Sequence, residues 1–538
     1  MATHRIRTRS PRATNAAIPA PVLNQDVAPY LEDAAHYPGG HARAVAFPRD
    51  ESELASVLCA AHTVLPIGAQ SSLTGGATPR GELLLSMSKF TRLAPPTRTS
   101  VTVEPGVTLA ELRTALTMAG RWYPPTPTYE GATIGGVVST NAAGAATFKY
   151  GPTRPWVQRL TIMLASGELL DLERGQIQAA QGRFEIITQN RGTITIPVPS
   201  YRIPAVPKCS AGYHAEPGMD LIDLFIGSEG TLGIVTSITL DVLPRCSEMS
   251  ILLIALDNEP RAVSVASQLR DVSLRTRQTQ DPQGLDVAAI EYLDRRCLEL
   301  LREDGTAVPE NADALLLAQI ELPSGMTTEQ IHEQVGLAES TNGATGPIAQ
   351  LCHLLAEEEL LDATELAAPN ETTRCRELLA LREAVPDTVN RRIGFAKRTI
   401  DRAIEKTATD MVVPFSMISE SLAALRTAFD SRGLDYAIWG HLSDANLHAN
   451  LLPQTGADVV TGHEAILDCG RAMIRLGGSP LAEHGVGRNP IKQTLLRLLH
   501  GTTGIDQMRA VKYALDPENK LAPGVLLPPT HSSVIGTI

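Results

Sequence analysis

An α/β or α+β protein of two domains with a mostly helical C-terminal stretch is the architecture this sequence predicts, and three observations predict it. From residue 44 to about 243, short apolar runs alternate with helical stretches and small-residue loops, the pattern of a mixed sheet-and-helix unit. After Pro244 the small-residue loops stop, while apolar strands and amphipathic helices continue. The 538 residues also exceed what one core usually organises, which suggests two or three domains.

Taken in order, residues 44–47, 64–66 and 83–86 read as extended and 51–62 as helical. Val101, Thr102 and Val103 form a strand that stops at Pro105 and Gly106, and 109–119 carries apolar residues at helical spacing. A helix ahead of Gly227 ends at a glycine-rich turn and feeds the β-branched strand 234–240. In the second domain 251–256 and 315–322 read as strands and 262–270 and 288–303 as helices, giving a sheet with helices on one side. The polar stretch 357–413 holds many charges and prolines and belongs near a surface or cleft. Residues 459–529 are mostly helical and end in a proline-rich tail. These changes of texture set expected boundaries at 1–25, 26–245, 246–470 and 471–538.

Composition excludes several classes of function. A hydrophobic content of 43% suits a soluble globular chain with ample interior. The net charge of −12 repels phosphate backbones and anionic headgroups, so no nucleic-acid partner is expected. No apolar run approaches the roughly 18 residues of a membrane span, so no integral membrane segment is expected. The seven cysteines, Cys59, Cys209, Cys246, Cys297, Cys352, Cys375 and Cys469, include no C-x-x-C pair and read as reduced, mostly buried thiols in a reducing compartment. Arg5, Arg7, Arg9 and Arg12 precede the first acid, Asp26, as in an organellar transit peptide, which would mean mitochondria in a eukaryote. The Pro-, Ala- and Thr-rich segment lacks an apolar helical face, which favours a disordered leader over 1–25 and a cytoplasmic location.

Three loops offer little except backbone. The first runs Pro66-Ile67-Gly68-Ala69-Gln70-Ser71-Ser72-Leu73-Thr74-Gly75-Gly76 after a strand; its main-chain N–H groups and hydroxyls can approach a phosphate closely. The second runs from Gly131 to Gly144, and all but Ile134 and Asn141 are Gly, Ala, Ser, Thr or Val. Such a chain can lie flat against a planar ring or a diphosphate. The third is Gly227-Ser228-Glu229-Gly230-Thr231-Leu232-Gly233, in which Glu229 reads as an acceptor for backbone donors.

Together these loops resemble the FAD-binding domain of the vanillyl-alcohol-oxidase type, and within it the FAD-linked D-lactate, glycolate and D-2-hydroxyglutarate dehydrogenases. The similarity runs in order from about residue 44 to 527. It implies a two-subdomain FAD-binding domain followed by an α+β cap with an antiparallel sheet. It also implies FAD contacts from Pro66, Gly68, Ala69, Gln70, Ser71, Ser72, Thr74 and Gly75. Further contacts are implied from Pro127, Ala132, Thr133, Gly135, Gly136, Ser139, Asn141, Gly144, Tyr150 and Gly151, and from Glu229, Gly230, Ile234 and Asn446. Covalent members usually carry a histidine in the first loop; here Gln70 and Ser71 stand there, so dissociable FAD is expected.

Two blocks in the second half carry imidazoles. His441-Leu442-Ser443-Asp444-Ala445-Asn446-Leu447-His448-Ala449-Asn450 reads as strand, turn, strand. On one continuous strand His441 and His448, seven apart, would face opposite ways, whereas the turn can bring them together. Ala482-Glu483-His484-Gly485 adds a carboxylate and a third imidazole. Two histidines and one carboxylate with an open position suit Zn²⁺ or a similar divalent ion. The resemblance assigns His441, His448 and Glu483 to that metal and His484 to the role of base. Ser443 and Ala445 depart from the family, which usually has glycine at both places.

Arg382, in Leu381-Arg382-Glu383-Ala384-Val385, resembles the family's carboxylate-gripping arginine, with Lys406 a second contact. The implied reaction is oxidation of a D-2-hydroxy acid, foremost D-lactate, to the 2-oxo acid by hydride transfer to flavin N5. A quinone, cytochrome or flavoprotein would take the electrons, and a quinone would bring a peripheral membrane contact. Two rivals keep the same first domain: a flavin-dependent alcohol, alditol or phenol oxidase, and a non-catalytic flavoprotein electron-transfer subunit.

Overall fold

The computed structural model describes residues 3–11, 23–125, 127–244, 248–338 and 345–529. Its first half contains two four-stranded sheets. One has the order Leu23–Asn24, Val45–Ala46, Leu83–Ser86, Val64–Ile67, and its last three strands run parallel. The helix Glu51–Ala60 crosses from Val45–Ala46 to Val64–Ile67, two places along the sheet, and its N-terminus is capped by the Asp50 side chain accepting from Ser52 and Glu53 N–H. The other sheet is antiparallel, with the order Ser100–Val103, Ile234–Asp241, Val157–Met163, Leu169–Glu173. The helix Leu109–Met118 begins with a capping box between Thr108 and Glu111.

The second half is built on a seven-stranded antiparallel sheet. Its order is Thr364–Ala367, Met249–Leu256, Ala314–Glu321, Asp286–Asp294, Tyr436–His441, Asn446–Leu451, Met411–Val412. Alternate residues serve two cores: Leu252 and Ile254 pack with Val265 and Leu269 of the helix Glu259–Thr279, while Ile251 and Leu253 pack with Leu298 and Val389. Helices therefore cover both faces, which corrects the expectation of helices on one side. The last segment returns to the first half. In it the helix Pro490–Leu515 carries Lys512, whose ammonium donates to Thr231 O at 2.7 Å, and Ala522 N–H reaches Val64 O at 2.8 Å.

Three further expectations change. Residues 288–303 are not one helix: Asp286–Asp294 is a strand and only Arg295–Glu303 is helical. Eight of the nine strand residues are buried, so the period-two alternation that marks a strand never appears in the sequence. The second small-residue block does not lie flat throughout, because Ile134–Ser139 turns into a short helix. The expected leader is in part woven into the fold. Arg5–Arg7 pairs in parallel with Arg183–Ile187, and Arg9 forms an ion pair with Asp171 at 2.5 Å. Residues 1–2 and 12–22 of that expected leader lie outside the described residues, as does Cys246. Among the six described cysteines, Cys297, Cys352 and Cys469 are buried, Cys209 and Cys375 half-buried and Cys59 exposed.

Candidate active site

A cavity of about 1300 Å³ lies between the small-residue loops of the first half and the helix and hairpin of the second. That exceeds the usual volume for a drug-sized ligand, roughly 300–1,000 Å³, and leaves room for a dinucleotide with a small substrate. Pro66, Gly68, Ala69, Gln70, Ser71, Ser72 and Thr74 line it, with Pro127, Ala132, Thr133, Gly135, Gly136, Ser139, Gly144, Glu229, Gly230 and Ile234. The first two loops touch at Gly68, where a Cβ would stand 2.1 Å from Thr133 Oγ1; only glycine permits that approach. The Gln70 amide donates to Tyr30 O and Ala77 O, each at 2.9 Å, and so shapes the loop. Both Glu229 oxygens accept backbone N–H groups, from Val486 and Gly487 at 2.8 Å, the pairing its sequence context suggests.

Five expected contacts stand back from the cavity lining. Gly75 packs on the Tyr37 ring. Asn141 Oδ1 accepts from Arg154 N–H at 2.8 Å. Tyr150 donates its hydroxyl to Glu321 at 2.5 Å, and Gly151 ends the helix Thr147–Tyr150. Asn446 donates to Met411 O at 2.9 Å and supports the hairpin from behind.

At the other end of the cavity the hairpin puts Trp439 opposite His448 and His441 opposite Asn446. The turn Leu442–Asp444 is a single 3₁₀ turn closed by Ala445 in the left-handed region, φ 58°. Glu483 Oε1 lies 3.4 Å from His441 Nε2, 3.5 Å from His448 Nε2 and 3.6 Å from His484 Nε2. Donors about 2.0–2.2 Å from a tetrahedral ion stand roughly 3.4 Å apart, so this spacing fits a divalent cation. His441 Nδ1 meets Glu291 Oε1 at 2.5 Å, the carboxylate backing common behind metal-binding histidines. One ligand atom each from Asp410, His448, Glu483 and His484 lies within 4.8 Å of the others. The compact group keeps His448 and Glu483 of the expected trio, adds Asp410 and His484, and leaves out His441, which reaches it through Glu483. Asp410 Oδ2 is already engaged, accepting from Glu483 and His484 N–H at 3.0 and 2.8 Å.

Arg382 and Lys406 line the same cavity. Arg382 comes from the helix Thr372–Thr399, where Pro386 cannot donate to the Arg382 carbonyl four residues back. Its Nε donates to Glu291 Oε2 at 2.9 Å, so its charge is compensated. Lys406 has no ion-pair partner among the described residues, and burial pushes its ammonium down to about 8. Burial likewise lowers His484, and Asp410 opposes that shift only in part. It takes His448 down to about 3. Burial works against the charged form of His441 as well, but Glu291 and Glu483 together outweigh it and hold the ring up to about 9.

Four residues of this end escaped the sequence reading as functional. Glu291 was hidden by the misread strand, Asp410 lay within the polar stretch 357–413 without a role, and Lys208 and Lys492 approach Glu483 and Asp410 from distant segments. A cross-strand pairing of Glu291 with His441 would have exposed the first; no local pattern marks the two lysines.

Residues 42–173 match the FAD binding domain, and residues 259–526 the C-terminal domain of FAD linked oxidases. The chain belongs to the FAD-linked oxidases of the D-lactate, glycolate and D-2-hydroxyglutarate dehydrogenase family. Among its relatives, the glycolate oxidase subunit GlcD of Bacillus subtilis is 28% identical over 497 residues, 89% of this chain and 88% of that one. The D-2-hydroxyglutarate dehydrogenase of Xanthomonas citri is 27% identical, covering 91% and 90%. The probable mitochondrial D-lactate dehydrogenase of Danio rerio is 25% identical, covering 91% and 85%. Solved structures of alkyldihydroxyacetonephosphate synthase share the fold at 13% identity and a TM-score of 0.58, over 96% of this chain and 87% of that one. This FAD-linked oxidoreductase has, among its described residues, no helix long and apolar enough to cross a membrane.

Proposed function

We propose that this family member oxidises a D-2-hydroxy acid, foremost D-lactate, to the 2-oxo acid. One observation carries the reading: three imidazole Nε2 atoms face a single carboxylate oxygen at 3.4–3.6 Å, in a cavity that Arg382 and Lys406 also line. The names of the relatives, which act on D-lactate, glycolate and D-2-hydroxyglutarate, support the same substrate class. FAD, when bound without a covalent link, supplies the acceptor for the C2 hydride at its N5. His441, His448 and Glu483 would hold a divalent cation, with Zn²⁺ suited to two nitrogens and one oxygen, and its Lewis acidity would favour loss of the hydroxyl proton.

The chain's own residues do the rest. Arg382 and Lys406 bind the carboxylate, which turns the C2 hydrogen toward the flavin loops. Such orientation can supply up to about 7–11 kcal/mol of barrier reduction. His484 accepts the hydroxyl proton, and a ring kept neutral by burial is ready for it. Proton to His484 and hydride to the acceptor together leave the 2-oxo acid.

Anaerobic mixing of the FAD-loaded protein with D-lactate, D-2-hydroxyglutarate, glycolate and L-lactate tests this. D-Lactate should bleach the flavin, a chelator should abolish the bleaching, and His484→Ala should slow it by roughly 10²–10⁴. A flavin left oxidised by every D-2-hydroxy acid, or an His484→Ala variant as fast as wild type, would sink the proposal. Bleaching by an alcohol that survives chelation would favour the oxidase rival.

A further inference from the structure

Lys208 does not line the cavity, yet its side chain is only 1% exposed and it touches the residue on which the imidazoles converge. Its ammonium stands 2.6 Å from Glu483 Oε2 and 3.1 Å from Asp444 Oδ2. Burying an ammonium is costly unless it is paired, and here two carboxylates from separate segments pair it. Glu483 is thereby divided: Lys208 occupies Oε2 while Oε1 faces the three Nε2 atoms. Asp410 holds the backbone of Glu483 and His484, so carboxylate and main chain are fixed by different partners.

Lys208 also belongs to a strap from the first domain. Ser210 N–H donates to Leu481 O, and Ser210 Oγ accepts from Gly485 N–H, each at 3.2 Å. Tyr213 shares a hydrogen bond of 2.7 Å with Thr231, in the loop that carries Glu229. The segment 208–213 thus connects the third flavin loop to the turn bearing Glu483. We propose that Lys208 is a positioning residue: by holding Glu483 Oε2 it fixes where Oε1 stands between the histidines and relative to the flavin loops. The inference rests on the reading above that Glu483 belongs to the cation-binding group.

The test is Zn²⁺ affinity of the FAD-loaded protein, measured by competition with a chromophoric chelator, together with the rate of flavin reduction by D-lactate. Lys208→Met should weaken Zn²⁺ binding about 10–100-fold, the usual effect of losing a residue that orients a ligand. Asp444→Asn, which leaves Lys208 on Glu483, should stay within about threefold of wild type. The double variant K208M/D444N removes one charge of each sign and should bind as weakly as Lys208→Met. Wild-type affinity in Lys208→Met or in the double variant overturns the inference, because Lys208 would then only neutralise Asp444. If Lys208→Met fails to retain FAD, the double variant decides alone. A wild type that takes up no Zn²⁺ overturns this inference, whereas one that takes up Zn²⁺ but is not reduced by D-lactate overturns the substrate reading and leaves the affinity comparison decisive.

Discussion

Glu291 holds two site residues at once, with one oxygen on His441 Nδ1 and the other on Arg382 Nε. A substrate carboxylate therefore meets an arginine already paired with a carboxylate, whereas Lys406 has no ion-pair partner among the described residues. Burial depresses its ammonium to about 8, so the charged form is present below that pH and lost as pH rises through it. In the free enzyme kcat/KM for D-lactate should accordingly fall above about pH 8, while kcat changes less. Lys406→Ala should remove that limb and raise KM roughly 10- to 100-fold, the loss expected for a charge-assisted hydrogen bond of about 1.5–3 kcal/mol. Initial rates across pH 6–10 for both proteins check this; a limb that survives in Lys406→Ala belongs to another group.

The hairpin is the element on which the cluster depends, and its conformation sits close to a limit. Gly440 has room for hydrogen only, since a Cβ there would stand 2.3 Å from Asn446 O across the hairpin. Ala445 takes the left-handed region at φ 58°, which costs an L-residue about 1–2 kcal/mol. Arg270 compensates from outside, donating to Ser443 O at 2.8 Å while lying 3.7 Å over the Phe415 ring. Ala445→Gly should therefore raise the thermal midpoint of the metal-free protein by an amount equivalent to about 0.5–1 kcal/mol, and Gly440→Ala should lower it and abolish flavin reduction. A melting curve for each variant decides, and an Ala445→Gly protein that melts earlier would show that the turn gains nothing from relief of strain. The hairpin was legible in the sequence because its pattern is local: a polar turn followed by Asn446, His448 and Asn450 alternating with Leu447, Ala449 and Leu451. The loop ending at Gly76 was legible for the same reason. Glu291 was not, because a strand buried on both faces carries no alternation to separate it from the helix that follows. Lys208 was not, because its partner Glu483 lies 275 positions away, and a lone lysine in a loop looks like any solvated one.

At the scale of the whole molecule the cavity is closed by two domains, so whatever docks one on the other governs access to it. The short helix Thr147–Tyr150 of the first domain reaches the seven-stranded sheet of the second. Lys149 pairs with Asp286 and Glu321, both at 2.5 Å, and Tyr150 donates to Glu321. Between these contacts the Phe148 ring lies 4.7 Å from the Arg270 guanidinium and 4.5 Å from that of Arg277. Tyr150, expected at the flavin, serves instead as part of this latch. Removing one partner of a largely buried ion pair costs about 3–5 kcal/mol, because the remaining charge stays desolvated. In Lys149→Met part of that cost is offset, since Arg277 still reaches Asp286 at 2.7 Å and Tyr150 still reaches Glu321. The latch should loosen without unfolding either sheet. Flavin fluorescence rising after dilution into FAD-free buffer should then appear several-fold faster for Lys149→Met than for wild type, and added salt should narrow the difference by speeding the wild type. Equal release rates would mean that the return segment, stitched to the first domain through Lys512 and Ala522, keeps the cavity closed by itself.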